Sequence, residues 1–280
     1  MSCYQELIRE AEEQLKDSSS FGEVRLLMLE LCREEEIDLY LNINEEASEI
    51  TKQRFQEGIK RLLQEEPLSY ILGYHYFYGY QLFVDHTVLI PRNETEELVG
   101  YILAGIDEYF GQTQLTVFDV ATGSGAIAIA LKAEEPRLTV YASDISSEAI
   151  KTAEKNASHN HTEITFLEGN MLDPFIEKGL QCEVLVCNPP YISSGEEIAR
   201  SVKEYEPHLA LFGGNDGLKF YHEVFIKAKK VVKEKAFLAF EIGYQQGEIL
   251  KEEALKHFPN AKVELLQDLN HLDRMLFVYL

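Results

Sequence analysis

Asn188, Pro189, Pro190 and Tyr191 stand together directly after the apolar run EVLVC. Two successive prolines fix the backbone and remove two N–H donors, so a strand arriving here stops and the Pro189 carbonyl is left for other partners. Asn188 adds a neutral amide with an acceptor oxygen and two donor hydrogens, and Tyr191 adds a flat face. Such a set suits a planar group that carries an NH2. The Asn188 oxygen and the Pro189 carbonyl would each accept one hydrogen while Tyr191 packs on the plane, with Pro190 keeping the geometry rigid. Those bonds draw the nitrogen lone pair out of conjugation and favour the positive charge that develops as the nitrogen attacks an electrophile. The same four residues also read, more plainly, as a stiff loop that closes a strand.

A second constellation lies upstream. VFDVATGSGAIAIAL reads as a strand, a tight turn over Ala121, Thr122, Gly123, Ser124 and Gly125, and the start of a helix. Glycines let a backbone approach a ligand where a Cβ would collide, and the helix start beyond them offers free N–H groups. About twenty residues later the next strand ends at Asp144, an acid suited to both hydroxyls of a ribose. Together they describe a nucleoside-containing cofactor at the carboxyl ends of a doubly wound sheet. Gly123, Gly125 and Ala128 fit the G-x-G-x-x-A form of the dinucleotide fingerprint, so NAD and S-adenosylmethionine both satisfy the turn by itself. The NPPY segment selects S-adenosylmethionine, because an in-line sulfonium methyl is the electrophile that a held amine nitrogen needs.

Positioning these groups is the work of an alternating chain. After Pro91 the sequence predicts helix 94–109, strand 115–120, helix to 133, strand 139–143, helix 146–160, and strands 164–168 and 184–187. Helix 217–232, strand 236–241, helix 246–257 and two closing strands near Val263 and Phe277 follow. Alternation of this kind means βαβ units and a mostly parallel sheet covered on both faces. Residues 1–74 read as helical instead: Leu7, Ile8, Ala11 and Leu15 recur at helical spacing, as do Val24, Leu27, Met28 and Leu31. Ser19 or Ser20 is placed to cap the second helix, and a third is expected over 46–65, before Pro67. Between the two regions HYFYGYQLFVDHTVLI, residues 75–90, predicts a β-hairpin linker. Its aromatics lack the interleaved Lys and Arg of a base-stacking platform and read as core.

Composition narrows the partners. The 280 residues carry 26 basic and 48 acidic side chains, a formal charge of −22. The excess is spread out, with 8 basic against 18 acidic residues up to Asp85. A protein gripping nucleic acid by its phosphates needs a concentrated positive face, so no direct nucleic-acid partner is expected. Four cysteines form no CxxC pair, and neither a disulfide framework nor a metal site is expected. The N-terminus has no basic-then-apolar leader, and no apolar run nears the roughly 20 residues that span a membrane. A cytoplasmic protein with no membrane partner follows.

The chain resembles the HemK/PrmC family, methyltransferases that modify the glutamine of the GGQ motif in bacterial class I release factors. The resemblance is carried by PLSYILGYHYFYG, LIPRNETEELV, DVATGSGAIAIAL, ASDIS, CNPPYI, YEPHLALFGGNDGLKFY, FEIGYQQGE and DRMLFV, and it spans nearly the whole chain. It implies an α/β, class I S-adenosylmethionine-dependent methyltransferase with a Rossmann-like, mostly parallel seven-stranded sheet over 91–280. It also implies a small N-terminal helical domain, residues 1–74, that docks the protein substrate. Residue by residue it places S-adenosyl-L-methionine around Ala121–Gly125, Asp144 on the ribose, and Asn170 and Met171 beside the adenine. It sets Asn188 to Tyr191 on the substrate glutamine with Asn188 also near the cofactor, and Pro91 and Arg92 at the mouth. Three positions depart from the family pattern: Ala121 stands where glycine is usual, Asn93 where proline is common, and Asn170 where aspartate is common. The implied reaction is methyl transfer to the glutamine side-chain nitrogen of peptide chain release factors. NPPY is shared with N6-adenine methyltransferases acting on DNA or RNA. That alternative needs a basic channel, which the charge disfavours. An inactive cofactor-binding module is a third reading, and intact Asn188 and Tyr191 argue against it.

Overall fold

The computed structural model describes residues 2–280, which form two compact units. Residues up to Tyr74 and Ile198–Tyr205 make the first; His75–Glu197 and Glu206–Leu280 make the second.

The first unit opens with α1 (Tyr4–Gln14), α2 (Glu23–Glu34), α3 (Glu49–Leu62) and α4 (Leu68–Leu72). The expected stripes bury together: Leu7, Ile8, Ala11 and Leu15 meet Val24, Leu27, Met28 and Leu31 in one core with Phe55, Ile59 and Leu62. The helix starts differ from expectation. Ser18, rather than Ser19 or Ser20, accepts from the Ser20 N–H, and this bond begins a single 3-10 turn over Ser19–Gly22. Helix α2 then follows Gly22, which has no side chain to offer as a cap. Short hydroxyl side chains hydrogen-bond their own backbone two residues on, and here that turn wins over capping. Helix α3 starts later than expected because Ser48 is its cap, accepting from the Thr51 N–H at 3.0 Å.

A hairpin of β1 (Tyr74–Phe77) and β2 (Tyr80–Phe83) comes next, all but its first residue in the second unit. Tyr78 (φ 51°) and Gly79 (φ 82°) turn it, the paired left-handed conformation that matches strand twist in two-residue hairpin loops. The hairpin is shorter than the expected 75–90, since Asp85 accepts from the Thr87 N–H at 2.9 Å and turns the chain away. Then come α5 (Asn93–Phe110), β3 (Thr116–Val120), α6 (Ala126–Glu134), β4 (Thr139–Asp144), α7 (Ser147–His159) and β5 (Ile164–Glu168). They are followed by α8 (Asp173–Glu177), β6 (Cys182–Cys187), α9 (Arg200–Tyr205, part of the first unit), α10 (Lys219–Ala228), β7 (Val232–Glu241), α11 (Gly247–His257), β8 (Lys262–Gln267) and β9 (Asp273–Tyr279). The sequence pattern had no sign of α8 or α9, each of six residues or fewer. Helix α10 stops at Ala228, short of the expected 232, because Val232 already begins β7.

Seven strands form one sheet in the order β5-β4-β3-β6-β7-β9-β8. The five from β5 to β7 are parallel, and β9 runs antiparallel to both its neighbours. Apolar residues cover both faces, as a parallel sheet requires. Strand order reverses between β3 and β6, and such switch points are where open α/β sheets bind ligands. Register brings the ends level: Val120 pairs with both Ser143 and Cys187, and Cys187 pairs with Phe240. The next residues on these strands are Ala121, Asp144, Asn188 and Glu241. All four cysteines are free, and Cys32, Cys182 and Cys187 are buried.

Candidate active site

A cavity of about 350 Å³ opens at the ends of β3, β4 and β6, within the size range of small-molecule sites. Of the residues singled out in the sequence, Arg92, Ala121 to Ser124, Asp144, Asn170, Met171, Asn188 and Pro190 line it. Gly125, Pro189 and Tyr191 are not among the lining residues.

The turn after β3 is built on left-handed backbone, with φ of 60° at Ala121, 55° at Gly123 and 83° at Gly125. The two glycines serve different ends. A Cβ on Gly123 would meet nothing within 4 Å, so this glycine keeps cavity space open. A Cβ on Gly125 would stand 3.1 Å from Ala153 Cβ and 3.2 Å from Ile129 Cδ1. Gly125 therefore lets α6 sit close to Ala153 of α7, and its left-handed φ suits glycine as well. Thr122 N–H donates to the Ser143 carbonyl at 2.9 Å, tying the turn to β4.

Asp144 is held from both sides. Its Oδ2 accepts from the Gly123 N–H and its Oδ1 from the Ser146 N–H, each at 2.9 Å. Burial pushes its carboxyl up from the ordinary range, and these backbone bonds oppose the shift. Beneath the turn, Asp119 Oδ2 accepts from Thr122 Oγ1 at 2.6 Å and the Ala128 N–H at 3.2 Å. Burial pushes its carboxyl up to about 7.

Beyond β5, Asn170 Nδ2 donates to Glu223 on α10, which leaves the Asn170 oxygen as the free end of a side chain lining the cavity. Met171 follows with φ 44° and a buried side chain.

At the end of β6, Asn188 Nδ2 donates to Thr95 Oγ1 at 3.3 Å. Among the described residues nothing donates to Asn188 Oδ1 or to the Pro189 carbonyl. Tyr191 is anchored through its hydroxyl, which donates to Glu241 Oε1 at 3.3 Å, and burial raises its pKa strongly. At the mouth, Arg92 Nη2 donates to Glu206 Oε1 at 2.5 Å, and Glu206 Oε2 also accepts from the Ile90 N–H at 3.3 Å. The sequence reading had passed over Thr95, Glu206, Glu223 and Glu241. Glu241 carried one usable sign, a carboxylate closing the apolar run AFLAFE. His208 stacks edge-on against Phe212 at 5.6 Å and does not line the cavity.

The family model described as PrmC N-terminal domain matches residues 6–73, and that of the Methyltransferase small domain matches 104–205. The chain is 44% identical over 241 residues to the release factor glutamine methyltransferase of Bacillus cereus, covering 85% of each protein. It is 36% identical over 280 residues to that of Staphylococcus aureus, covering 99% of each. A solved methyltransferase from Pyrococcus furiosus superposes with a TM-score of 0.51 at 15% identity, over 79% of this chain and 96% of that one, and shows a common fold. Identity of this order along nearly all of both chains leaves one assignment: the chain belongs to the family of release factor glutamine methyltransferases.

Proposed function

We propose that this enzyme acts in the cytoplasm and moves a methyl group from S-adenosyl-L-methionine to the side-chain amide nitrogen of the GGQ glutamine in class I peptide chain release factors. The reading rests above all on the free acceptors at the end of β6, Asn188 Oδ1 and the Pro189 carbonyl, beside the glycine turn of β3. The named substrate follows the family relationship.

The residues present fit the cofactor. Open space at Gly123, a carboxylate at Asp144 and the free oxygen of Asn170 match a ligand with a ribose and an amino-substituted base. When bound, S-adenosyl-L-methionine supplies an electrophilic methyl group on a sulfonium. Asp144 accepts from the ribose hydroxyls, Asn170 Oδ1 from the adenine amine, and Met171 packs beside the base. Asn188 Oδ1 and the Pro189 carbonyl each accept one hydrogen of the substrate amide, Pro190 keeps that carbonyl fixed, and the anchored Tyr191 ring covers the amide plane. Two acceptors on the amide hydrogens raise the electron density of the nitrogen and stabilise the positive charge that grows on it. The methylated nitrogen then sheds its proton to water, so no dedicated base is needed. Arg92, braced by Glu206, orients the loop that carries the glutamine. The helical first unit is the docking domain, and its excess of acidic residues suits a partner with a basic, RNA-facing surface.

The test is peptide mapping after incubation with labelled S-adenosyl-L-methionine and either a release factor or unmethylated DNA. One methyl on the GGQ glutamine, abolished in Asn188→Ala, is the expected result. Label on DNA alone would move the same chemistry to adenine and end this reading.

A further inference from the structure

Four side chains that meet at the end of the sheet form one hydrogen-bonded chain. Asn188 Nδ2 donates to Thr95 Oγ1 at 3.3 Å, the Thr95 hydroxyl donates to Glu241 Oε2 at 2.6 Å, and the Tyr191 hydroxyl donates to Glu241 Oε1 at 3.3 Å. Thr95 comes from the first turn of α5, Glu241 from the last residue of β7, and the other two from the segment after β6. Thr95 is 4% exposed and Glu241 2%, so water does not compete for either.

The direction of this chain follows from counting hydrogens. An ionised carboxylate only accepts, so the single hydroxyl hydrogen of Thr95 is committed to Glu241. Thr95 then offers Asn188 a lone pair, and only the nitrogen end of the amide can use it. The Asn188 oxygen is thereby turned to the cavity.

We propose that Thr95 and Glu241 are positioning residues for methyl transfer: ionised Glu241, acting through Thr95, decides which end of the Asn188 amide meets the substrate, and through the Tyr191 hydroxyl it holds the other end of the same tetrapeptide. The inference rests on Asn188 being the acceptor for the substrate amide, as proposed above. A protonated Glu241 reverses the relay. It donates to Thr95, Thr95 donates to Asn188 Oδ1, and the amide presents its own hydrogens to a substrate NH2.

The surroundings of Glu241 set where this reversal falls. Burial pushes its carboxyl up, and Glu94 on α5 acts in the same sense. The bonds from Thr95 and Tyr191 and the charge of Arg274 on β9 oppose it. Tyr221 on α10 donates to the Glu241 backbone carbonyl and not to its carboxylate. Arg274 is itself held by Asp268 at 3.2 Å. Activity should therefore fall on the acid side, above the pH at which an ordinary glutamate titrates.

The experiment is steady-state methyl transfer to a release factor by wild type, Thr95→Val, Thr95→Ser and Glu241→Gln, with kcat followed against pH. Thr95→Val and Glu241→Gln should lower kcat about 10- to 100-fold and leave KM for the release factor within about 2-fold. Thr95→Ser keeps the hydroxyl and should stay within about 3-fold of wild type. The acid limb should be missing from Glu241→Gln. Wild-type kcat in both Thr95→Val and Glu241→Gln, or an acid limb retained by Glu241→Gln, would overturn the proposal. Binding of S-adenosylhomocysteine by calorimetry checks that each variant is folded. Should a variant not fold, 15N spectra of the wild-type Asn188 side-chain amide decide. Its signal must shift as the acid limb is crossed, and a signal that does not move rejects the relay. A wild type that leaves the glutamine unmethylated would defeat the proposed function instead, and the Asn188 spectrum would still judge the relay.

Discussion

The Asn170 side-chain nitrogen donates to the Glu223 carboxylate, which Lys227 also grips at 2.9 Å. A carboxylate accepts only, so this partner consumes the donor end of the amide and leaves its oxygen outward. The resemblance put aspartate at this position in many relatives. Glu223 gives this chain an acceptor there without a second negative charge.

Removing that constraint should weaken cofactor binding. Glu223→Ala lets the Asn170 amide present either end, and affinity for S-adenosylhomocysteine should fall about 3- to 10-fold, the value of roughly one hydrogen bond. Asn170→Asp should lose affinity as well, because two carboxylates would then face each other, and Asn170→Asp with Glu223→Gln should recover it. Calorimetric titration reads all three. Equal affinity across wild type and Glu223→Ala would refute the argument.

Ala121 carries φ 60°, a conformation that costs an L-residue roughly 1–2 kcal/mol. Glycine is free of that cost but loses about 0.5–1 kcal/mol through its more flexible unfolded chain. Ala121→Gly should therefore stabilise the protein by about 0.5–1 kcal/mol, seen as a higher denaturation midpoint with an unchanged slope. A lower midpoint would mean that the Ala121 methyl packs well enough to outweigh its backbone strain.

Asp119 makes stability depend on pH. Its carboxyl is pushed up to about 7 from 3.8 by burial, with Asp144 adding to the shift and the bonds from Thr122 and Ala128 opposing it. The folded protein thus holds this proton more tightly than the unfolded chain. The contribution to stability is fully present below about pH 4, declines as pH rises toward 7 and is flat above, with a limiting slope of about 1.4 kcal/mol per pH unit. Asp119→Asn cannot titrate. The stability of wild type relative to Asp119→Asn should therefore fall between pH 4 and 7 in denaturant titrations. Parallel curves for the two proteins would rule out a titrating Asp119.

What could be read from the linear chain was local in character. The turn at Gly123, the double proline after Cys187 and the acid at Asp144 each announce themselves by residue type within a few positions. Strand and helix alternated in the sequence because parallel strands buried on both faces are continuous apolar runs. The N-terminal stripes were equally plain, since helical periodicity is written into spacing. Helix starts were less so: Ser18, Ser19 and Ser20 are chemically alike, and the choice of Ser18 depended on a 3-10 turn that only the folded backbone reveals.

Tertiary structure decided everything that joins distant residues. Thr95 and Glu241 lie 146 positions apart, and Arg92 and Glu206 lie 114 apart; no pattern along the chain pairs them. The different surroundings of the two glycines were likewise hidden: a Cβ at Gly125 would stand 3.1 Å from Ala153 of another helix, while one at Gly123 would meet open space. Sequence singled out Asn188 and Tyr191. Which end of the Asn188 amide faces the cavity is set by strand order and register, which bring β7 and the first turn of α5 against it, and by a carboxylate that can only accept.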